Sequence, residues 1–293
     1  MVVVPLLFSK PFAKLNAKHG LSTKRAAVFL FLAWSTHVLI DVFTTYGTQV
    51  FAPFSDYRAA FNNFFIIDPL FTLPLLVCCG WIAVDLVRTL LRKVGDRELL
   101  PWRSHGALIC LAISSVYVVF SFGMKAAATR KIVAQVQATN PNAQLVATSP
   151  TPLNTILWRG LMETEDAFLL HYWSPFDKEP GRIEWIPKQR ELAEKFRGDE
   201  FFEGLVWFSR GDWLARPNDD GSVTFVDFRF GEMRNLRTKE MVPMFQWKLK
   251  KDGDGPLESK NNRPERPKVK KALALLWERI WGEQSRWESV EPF

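Results

Sequence analysis

Cysteine and histidine are scarce in this sequence, and their positions exclude two common kinds of small domain. Only three cysteines and four histidines occur among 293 residues. Cys78, Cys79 and Cys110 all lie in apolar runs, so the polar second half of the chain carries none. Neither a disulfide framework nor a C-x-x-C zinc site can be built from them. We expect small buried or lipid-facing thiols instead.

Long apolar runs are absent from the larger part of the chain, because nearly all of them precede Met124. A hydrophobic content of 47% with 24% charged residues excludes a disordered chain. We therefore predict an α+β protein. A helical membrane domain is expected at 1–137, a small, mostly antiparallel β domain at 138–252, and a polar linker with an amphipathic helix at 253–293.

Three apolar runs of the first half are long enough to cross the hydrocarbon core of a bilayer, about 30 Å thick. The first is charge-free from Ala26 to Ile40 and continues past Asp41 to about Tyr46. The others are Phe64–Val87 and Gly106–Met124. The sequence thus predicts three spanning helices, with the protein residing in the lipid bilayer.

Basic residues are nearly absent from the loop at 47–63, which contains only Arg58, whereas the connectors at 9–25 and 88–105 are rich in them. By the positive-inside rule both basic connectors face the cytoplasm. Three spans then place the C-terminal domain outside the inner membrane, in the periplasm. The net charge of +7 is explained by these flanks, so we predict no nucleic-acid partner.

An ionisable pair, His37 and Asp41, interrupts the first apolar run. Four residues separate them, which places both side chains on one helix face about one turn apart. Two ligands of one metal ion need this arrangement, and ionisable residues within a membrane segment are functional by default. A buried hydrogen bond that ties two helices together satisfies the same spacing, so both interpretations stay open.

Asp68 begins the second apolar run and is followed by Pro69, a residue that suits the first helical position. One interpretation makes Asp68 a helix N-cap. The other makes it a third metal ligand, or a residue that orients a ligand. Both stay open at this point.

Short β-type runs fill the second half of the chain. We predict strands at 155–162, 168–173, 182–186, 205–215, 223–228 and 245–250, a short helix at 191–197 and a hairpin turn at 218–221.

Three polar residues of these runs, His171, Asp227 and Arg229, are interpreted as structural, the last two as an ion pair. The closing amphipathic helix carries one apolar side and is expected to pack on the β domain or to lie on a bilayer surface. That side consists of Leu273, Leu276, Trp277, Ile280 and Trp281.

Several segments resemble the bacterial membrane-bound metal-dependent hydrolase family, a group of inner-membrane hydrolases some of which are LexA-regulated. The segments are T-H-V-L-I-D-V-F-T-T-Y-G-T-Q at 36–49, P-F-S-D-Y-R at 53–58, F-I-I-D-P-L-F-T-L-P-L-L at 65–76, P-T-P-L-N-T-I-L-W-R at 150–159, W-F-S-R-G at 207–211 and D-F-R-F-G at 227–231. The resemblance covers about residues 1–250.

The resemblance implies a hydrolase with His37 and Asp41 as ligands of a divalent metal ion, zinc being expected, that activates a water molecule. Asp68 and Arg58 are the expected catalytic residues. Asp68 would orient a ligand or accept a proton, and Arg58 would hold an anionic group such as a phosphate. A lipid or phosphoester at the membrane surface is the expected substrate class.

Two motifs that usually open such proteins, an acidic P-D-x-D type and a His-Arg-Gly-x-x-His type, are not found here. Residues 1–8 resemble the last turns of an apolar helix, so we expect the reading frame to extend upstream of Met1. Without such motifs the chain would be an inactive family member. The competing hypothesis is a non-catalytic envelope protein whose β domain binds a partner. The oligomeric state is not indicated.

Overall fold

A computed structural model describes residues 3–17, 20–91, 101–251, 257–261 and 268–291. The chain forms two compact units, Met1–Asn62 and Asn63–Phe293. Its helices are α1 (Val3–Leu15), α2 (Thr23–Val42), α3 (Pro69–Leu91), α4 (Pro101–Thr139), a 3₁₀ helix (Arg190–Phe196), α5 (Glu200–Ser209), α6 (Val269–Ile280) and α7 (Ser285–Glu288). Its strands are β1 (Gln144–Pro150), β2 (Trp158–Glu163), β3 (Ala167–Trp173), β4 (Glu184–Pro187), β5 (Trp213–Pro217), β6 (Val223–Asn235), β7 (Glu240–Lys250) and β8 (Glu258–Asn261). The predicted α+β class is confirmed.

The first unit contains α1, α2 and a loop. Helix α1 continues through Pro11 to Leu15, so much of the predicted basic connector at 9–25 is helical. Stacked rings of Phe12 and Phe29, 5.8 Å apart, join α1 to α2. Helix α2 ends at Val42, four residues before the predicted end. The loop that follows is closed by a β-bridge between Thr48 and Ala59.

Two helices of the described residues, not the predicted three, are long and apolar enough to cross a membrane. They are α2 and the part of α4 from His105 to Thr139. In α3 the apolar stretch found among the described residues is Pro69–Val84. At 1.5 Å per residue that stretch is about 24 Å long, which is shorter than a hydrocarbon core of about 30 Å.

Helix α4 is one continuous helix of 39 residues. At 1.5 Å per residue it is about 58 Å long, roughly twice the hydrocarbon thickness. It therefore extends well beyond the apolar stretch that ends at Met124, as predicted. It stops at Thr139, because Asn140 and Pro141 follow.

Two antiparallel four-stranded sheets make up the β domain, with the strand orders β1-β2-β3-β4 and β5-β6-β7-β8. The prediction of a mostly antiparallel β domain is confirmed, and so is the hairpin turn between β5 and β6. The single strand predicted at 205–215 is wrong. Asp199 caps a helix there by accepting from the amides of Phe201 and Phe202, and Arg210 and Gly211 then turn with positive φ before β5 begins.

The main hydrophobic core joins both sheets to the C-terminal helices. Its buried members are Leu157, Leu161, Phe168, Leu170, Tyr172, Ile186, Leu214, Val226, Phe228, Met241, Leu275, Leu276, Ile280 and Trp287. Of the two alternatives for the closing helix, packing on the β domain is the one that the structure shows. Its predicted apolar side is only half right, because Leu276 and Ile280 are buried while Leu273, Trp277 and Trp281 are exposed.

A second core packs α4 on the first sheet. Ile132 of α4 is fully buried, and a Cβ added to Gly160 in β2 would lie 2.3 Å from its Cγ2. Such a distance is far below a van der Waals contact, so a side chain at 160 would push the helix off the sheet. Gly160 thus permits the close approach that holds the β domain on α4.

Candidate functional site

The predicted metal ligands His37 and Asp41 lie on one side of α2. Their closest atoms, Nε2 and Oδ2, are 3.8 Å apart, and their side chains are 80% and 50% exposed. At this distance no hydrogen bond is formed. The pair is therefore open to a ligand and is not part of a buried network.

Two donors are fewer than the three protein ligands of a catalytic zinc site. Among the described residues no group of three or more His, Cys, Asp or Glu side chains could hold a metal ion. The residues placed together by α2 therefore do not by themselves fit the metal that the resemblance implies. Arg58, the predicted anion-binding residue, is half-buried in the loop closed by the Thr48–Ala59 bridge of the same unit.

Asp68 is buried at the N-terminus of α3. Its Oδ1 accepts from the amides of Leu70 (3.0 Å) and Phe71 (3.3 Å), and Pro69 occupies the first helical position. The N-cap interpretation of Asp68 is thus confirmed. Its Oδ2 accepts from the hydroxyl of Tyr117 at 2.9 Å, so both carboxylate oxygens have partners.

The Tyr117 hydroxyl also accepts a hydrogen bond from Thr155 Oγ1, at 2.9 Å. Thr155 lies between β1 and β2, in a loop organised by Asn154, whose Oδ1 accepts from the amides of Ile156 and Leu157. A continuous chain of hydrogen bonds, Asp68–Tyr117–Thr155, therefore connects α3, α4 and the β domain. The sequence motif at 150–159 builds this junction, a role that the sequence reasoning missed.

A buried ionic network inside the β domain was also missed. Arg159 pairs with Glu232 (3.1 Å between Nη2 and Oε2), and Glu232 accepts from the hydroxyl of Tyr172. Arg234 binds both oxygens of Glu184, at 2.7 and 2.8 Å. Burial raises the pKa of the Glu184 carboxyl to about 7, against the opposing attraction of Arg234. Two buried arginines thus face two buried glutamates, and each guanidinium has a carboxyl partner.

A third pair, Asp227 and Arg229, is buried as well, with 2.6 Å between Oδ2 and Nη2. The Arg229 guanidinium lies over the rings of Phe208 and Phe230, 5.1 and 4.9 Å from their centroids. The prediction of a structural ion pair is confirmed. The motifs at 207–211 and 227–231 therefore meet in space and stabilise each other.

His171 is buried in β3 and contacts α4. Its Nδ1 donates to the carbonyl oxygen of Arg182 at 3.2 Å, and its Nε2 contacts the side-chain amide of Gln135 at 2.7 Å. Burial lowers the pKa of the imidazole, which favours the neutral ring. The structural interpretation of His171 is confirmed, and its signal in the sequence was its position among apolar strand residues.

Comparison with known proteins concerns the N-terminal part of the chain. Residues 1–128 match the model of a family described as YdjM inner membrane protein. No curated protein and no solved structure matches the chain. The matched region includes α2, α3 and the first part of α4, so the family description and the apolar helices both indicate a membrane protein associated with the lipid bilayer.

Proposed function

We propose that this chain is an inner-membrane protein that anchors its β domain close to the periplasmic surface of the inner membrane, where the domain binds a partner. The observation that carries the proposal is α4. This helix contains an apolar segment, residues 106–124, and continues from it without interruption into the buried core of the first sheet. An unbroken helix transmits the orientation of the membrane segment to the domain above it.

The junction supports this role because it fixes α4 to α3 and to the β domain within its apolar part, residues 106–124. Tyr117 is linked both to the N-cap of α3 and to Thr155 of the β domain. Ser114 Oγ also donates to the carbonyl oxygen of Phe71 at 2.9 Å, and the Asn63 amide donates to Ser121 at 3.2 Å. Polar contacts of this kind hold two helices together in an apolar surrounding.

The side of the membrane follows from the number of spans. If α3 crosses together with α2 and α4, the basic connectors lie in the cytoplasm and the β domain in the periplasm. Helix α3 is 23 residues long in full, about 34 Å, and it crosses if its end with Asp85 and Arg88 lies at the headgroups and the bilayer thins around its apolar stretch. If α3 does not cross, the β domain is cytoplasmic.

Alkaline phosphatase fusions distinguish the two arrangements, since the enzyme is active only outside the cytoplasm. We expect activity for fusions after Ser55 and after Asp177 and none for a fusion after Arg97. An inactive fusion after Asp177, alongside an active fusion after Ser55, would contradict the outward topology.

A second candidate function is a metal-dependent hydrolase that acts on a lipid or phosphoester at the membrane surface. The exposed pair His37 and Asp41 favours it, because both side chains lie within reach of one ion and remain open to a ligand. Further ligands would have to complete the site. In this hypothesis Arg58 binds the anionic group of the substrate, and Asp68, whose Oδ2 accepts from Tyr117 through one lone pair, accepts a proton through another.

Metal analysis of the purified full chain tests the hydrolase hypothesis. It predicts bound divalent metal, zinc being expected, that is lost together with any hydrolase activity in His37→Ala and Asp41→Ala. His105→Ala is the matched control and should keep both. Equal metal content in His37→Ala and the unsubstituted chain would eliminate this ligand assignment.

A further inference from the structure

An aromatic ridge stands exposed on the β domain. We define it as Phe176, Trp277 and Trp281, which are 45%, 62% and 53% exposed. The ring of Trp281 contacts those of Phe176 (4.7 Å between centroids) and Trp277 (5.6 Å). Leu273, 42% exposed, continues the ridge along α6. Contiguous apolar patches of this kind mark interaction surfaces.

The ridge is held rigidly. Ser174 Oγ donates to the carbonyl oxygen of Ile280 at 2.6 Å, and Arg279 pairs with Asp177 beneath the surface. Gly282 has a φ of +87°, and a Cβ there would lie 2.4 Å from the carbonyl oxygen of Phe176. The backbone thus clamps the segment around Phe176 against the end of α6, so the exposure of the rings is built into the fold.

The ridge lies at the end of the first sheet that faces the apolar part of α4. Thr155 is bonded to Tyr117, and β2 starts three residues later at Trp158. Further along, Gly160 meets Ile132, so β2 leads away from the apolar segment. Strand β3 runs antiparallel and ends at Trp173, opposite Trp158. Phe176 therefore follows the strand end that is nearest to the membrane segment.

Positively charged residues lie beside the ridge, at the start of α6. Lys268, Lys270 and Lys271 stand at the beginning of α6, where the helix dipole favours acids. Lys270 precedes Leu273 by three residues and Trp277 by seven, so it shares their face. Tryptophans with neighbouring lysines are typical of segments that lie at the interface between lipid and water, where lysines contact anionic headgroups.

We propose that the aromatic ridge inserts into the interfacial layer of the bilayer that α4 crosses, with Lys270 and Lys271 on anionic phospholipid headgroups. The inference rests on the proposed function, because it requires the apolar part of α4 to be in that membrane. The inserted ridge would be a second attachment of the β domain to the membrane, beside α4. Two attachments would fix both the tilt of the domain and its distance from the bilayer.

Spin labels in nanodiscs test the insertion. Cys78, Cys79 and Cys110 are first replaced by alanine in the full chain, and single labels are attached in Trp277→Cys, Trp185→Cys and Leu111→Cys. Trp185 is the matched control, since this exposed tryptophan pairs with Leu169, four residues or about 13 Å from the Trp173 end of β3. Circular dichroism checks that each variant is folded.

We expect the label at 277 to collide more with dissolved oxygen than with a water-soluble nickel complex, and the label at 185 to show the opposite. The label at 111 reports the membrane segment itself. An aqueous label at 277 with a lipid-exposed label at 111 overturns the inference alone, whereas aqueous labels at both positions overturn the proposed function. A label at 277 shielded from both reagents and broadened by a neighbouring label would mean that a second copy covers the ridge, which also overturns it.

Varying the lipid composition tests the contact between Lys270 and Lys271 and the anionic headgroups. Nanodiscs of phosphatidylcholine with phosphatidylglycerol should give deeper immersion at 277 than phosphatidylcholine alone. Lys270→Glu with Lys271→Glu should abolish this difference, while Lys260→Glu on β8 should keep it. Equal immersion in both lipids would overturn the headgroup contact.

Discussion

The β domain buries several ionisable residues in hydrogen-bonded pairs, whereas α2 leaves His37 and Asp41 exposed and without a hydrogen bond to each other. Glu184 and Arg234 are 3% and 1% exposed and bind each other through two hydrogen bonds, whereas His37 and Asp41 are 80% and 50% exposed and 3.8 Å apart. A charge buried in the core must be paired in the folded state, whereas His37 and Asp41 lie on the surface of α2, outside the core. The difference separates residues that determine structure from residues that are available for chemistry.

The largest effect is expected from removing one member of the buried network. Arg234→Met leaves Glu184 buried without its cation and should lower the free energy of unfolding by about 3–5 kcal/mol. Denaturant unfolding followed by tryptophan fluorescence measures it. The control is Arg197→Ala, which breaks an exposed pair with Glu194 and should leave the free energy of unfolding unchanged. Equal effects of the two substitutions would remove the distinction between buried and exposed pairs.

The second largest loss of stability is expected from overpacking the contact between α4 and the first sheet. Gly160→Ala places a methyl group against Ile132 and should cost about 1–3 kcal/mol. Gly204→Ala in α5 is the matched control, because nothing lies within 4 Å of the added Cβ. That control should be stabilising by about 0.5–1 kcal/mol, since alanine favours helices. A neutral Gly160→Ala would show that α4 is not closely packed on β2.

The pH dependence of stability offers a third measurement. Burial raises the pKa of Asp212 from 3.8 to about 6, although the charge of Arg229 opposes the shift. The folded state then binds a proton more tightly than the unfolded state. Stability from this group is complete below pH 3.8 and is lost as the pH rises through about 6, on the order of 3 kcal/mol. Asp212→Asn should flatten the curve in this window, and an unchanged slope would exclude Asp212 as its source.

The smallest effect on stability is expected in α2. His37→Ala should leave the Tm of the solubilised chain unchanged, because the side chain is 80% exposed and no hydrogen bond is lost. Ala26→Leu is the contrasting variant, since Ala26 is fully buried and a larger side chain must displace its neighbours. A clear drop in Tm for His37→Ala would indicate that this histidine supports the fold.

Local sequence signals predicted much of the architecture. The apolar runs, the Asp68-Pro69 helix start and the turn at 218–221 depend on residues close in the chain, so they could be recognised without tertiary information. Helix α5 escaped prediction because Leu205–Ser209 has an apolar content suited to either a strand or a helix. In the structure the cap at Asp199 stabilises the start of the helix, and the positive φ of Arg210 ends it.

The junction and the ionic network could not be predicted in the same way. Tyr117 and Thr155 are 38 residues apart in sequence, and Arg159 and Glu232 are 73 apart. Such partners are chosen by the packing of distant elements. For His37 and Asp41 the spacing alone placed both side chains on one face, because an α-helix repeats within four residues.

By itself the sequence determined where the chain is apolar, where helices begin and turns occur, and that His37 and Asp41 share a face. These properties follow from side-chain chemistry and from the short repeat of the helix and strand. Only the tertiary structure decided which side of α6 is buried, which charges are paired, and that Asp68 is joined through Tyr117 to the β domain. Each of these depends on surfaces that come together when the chain folds, and burial then makes pairing of their polar groups obligatory.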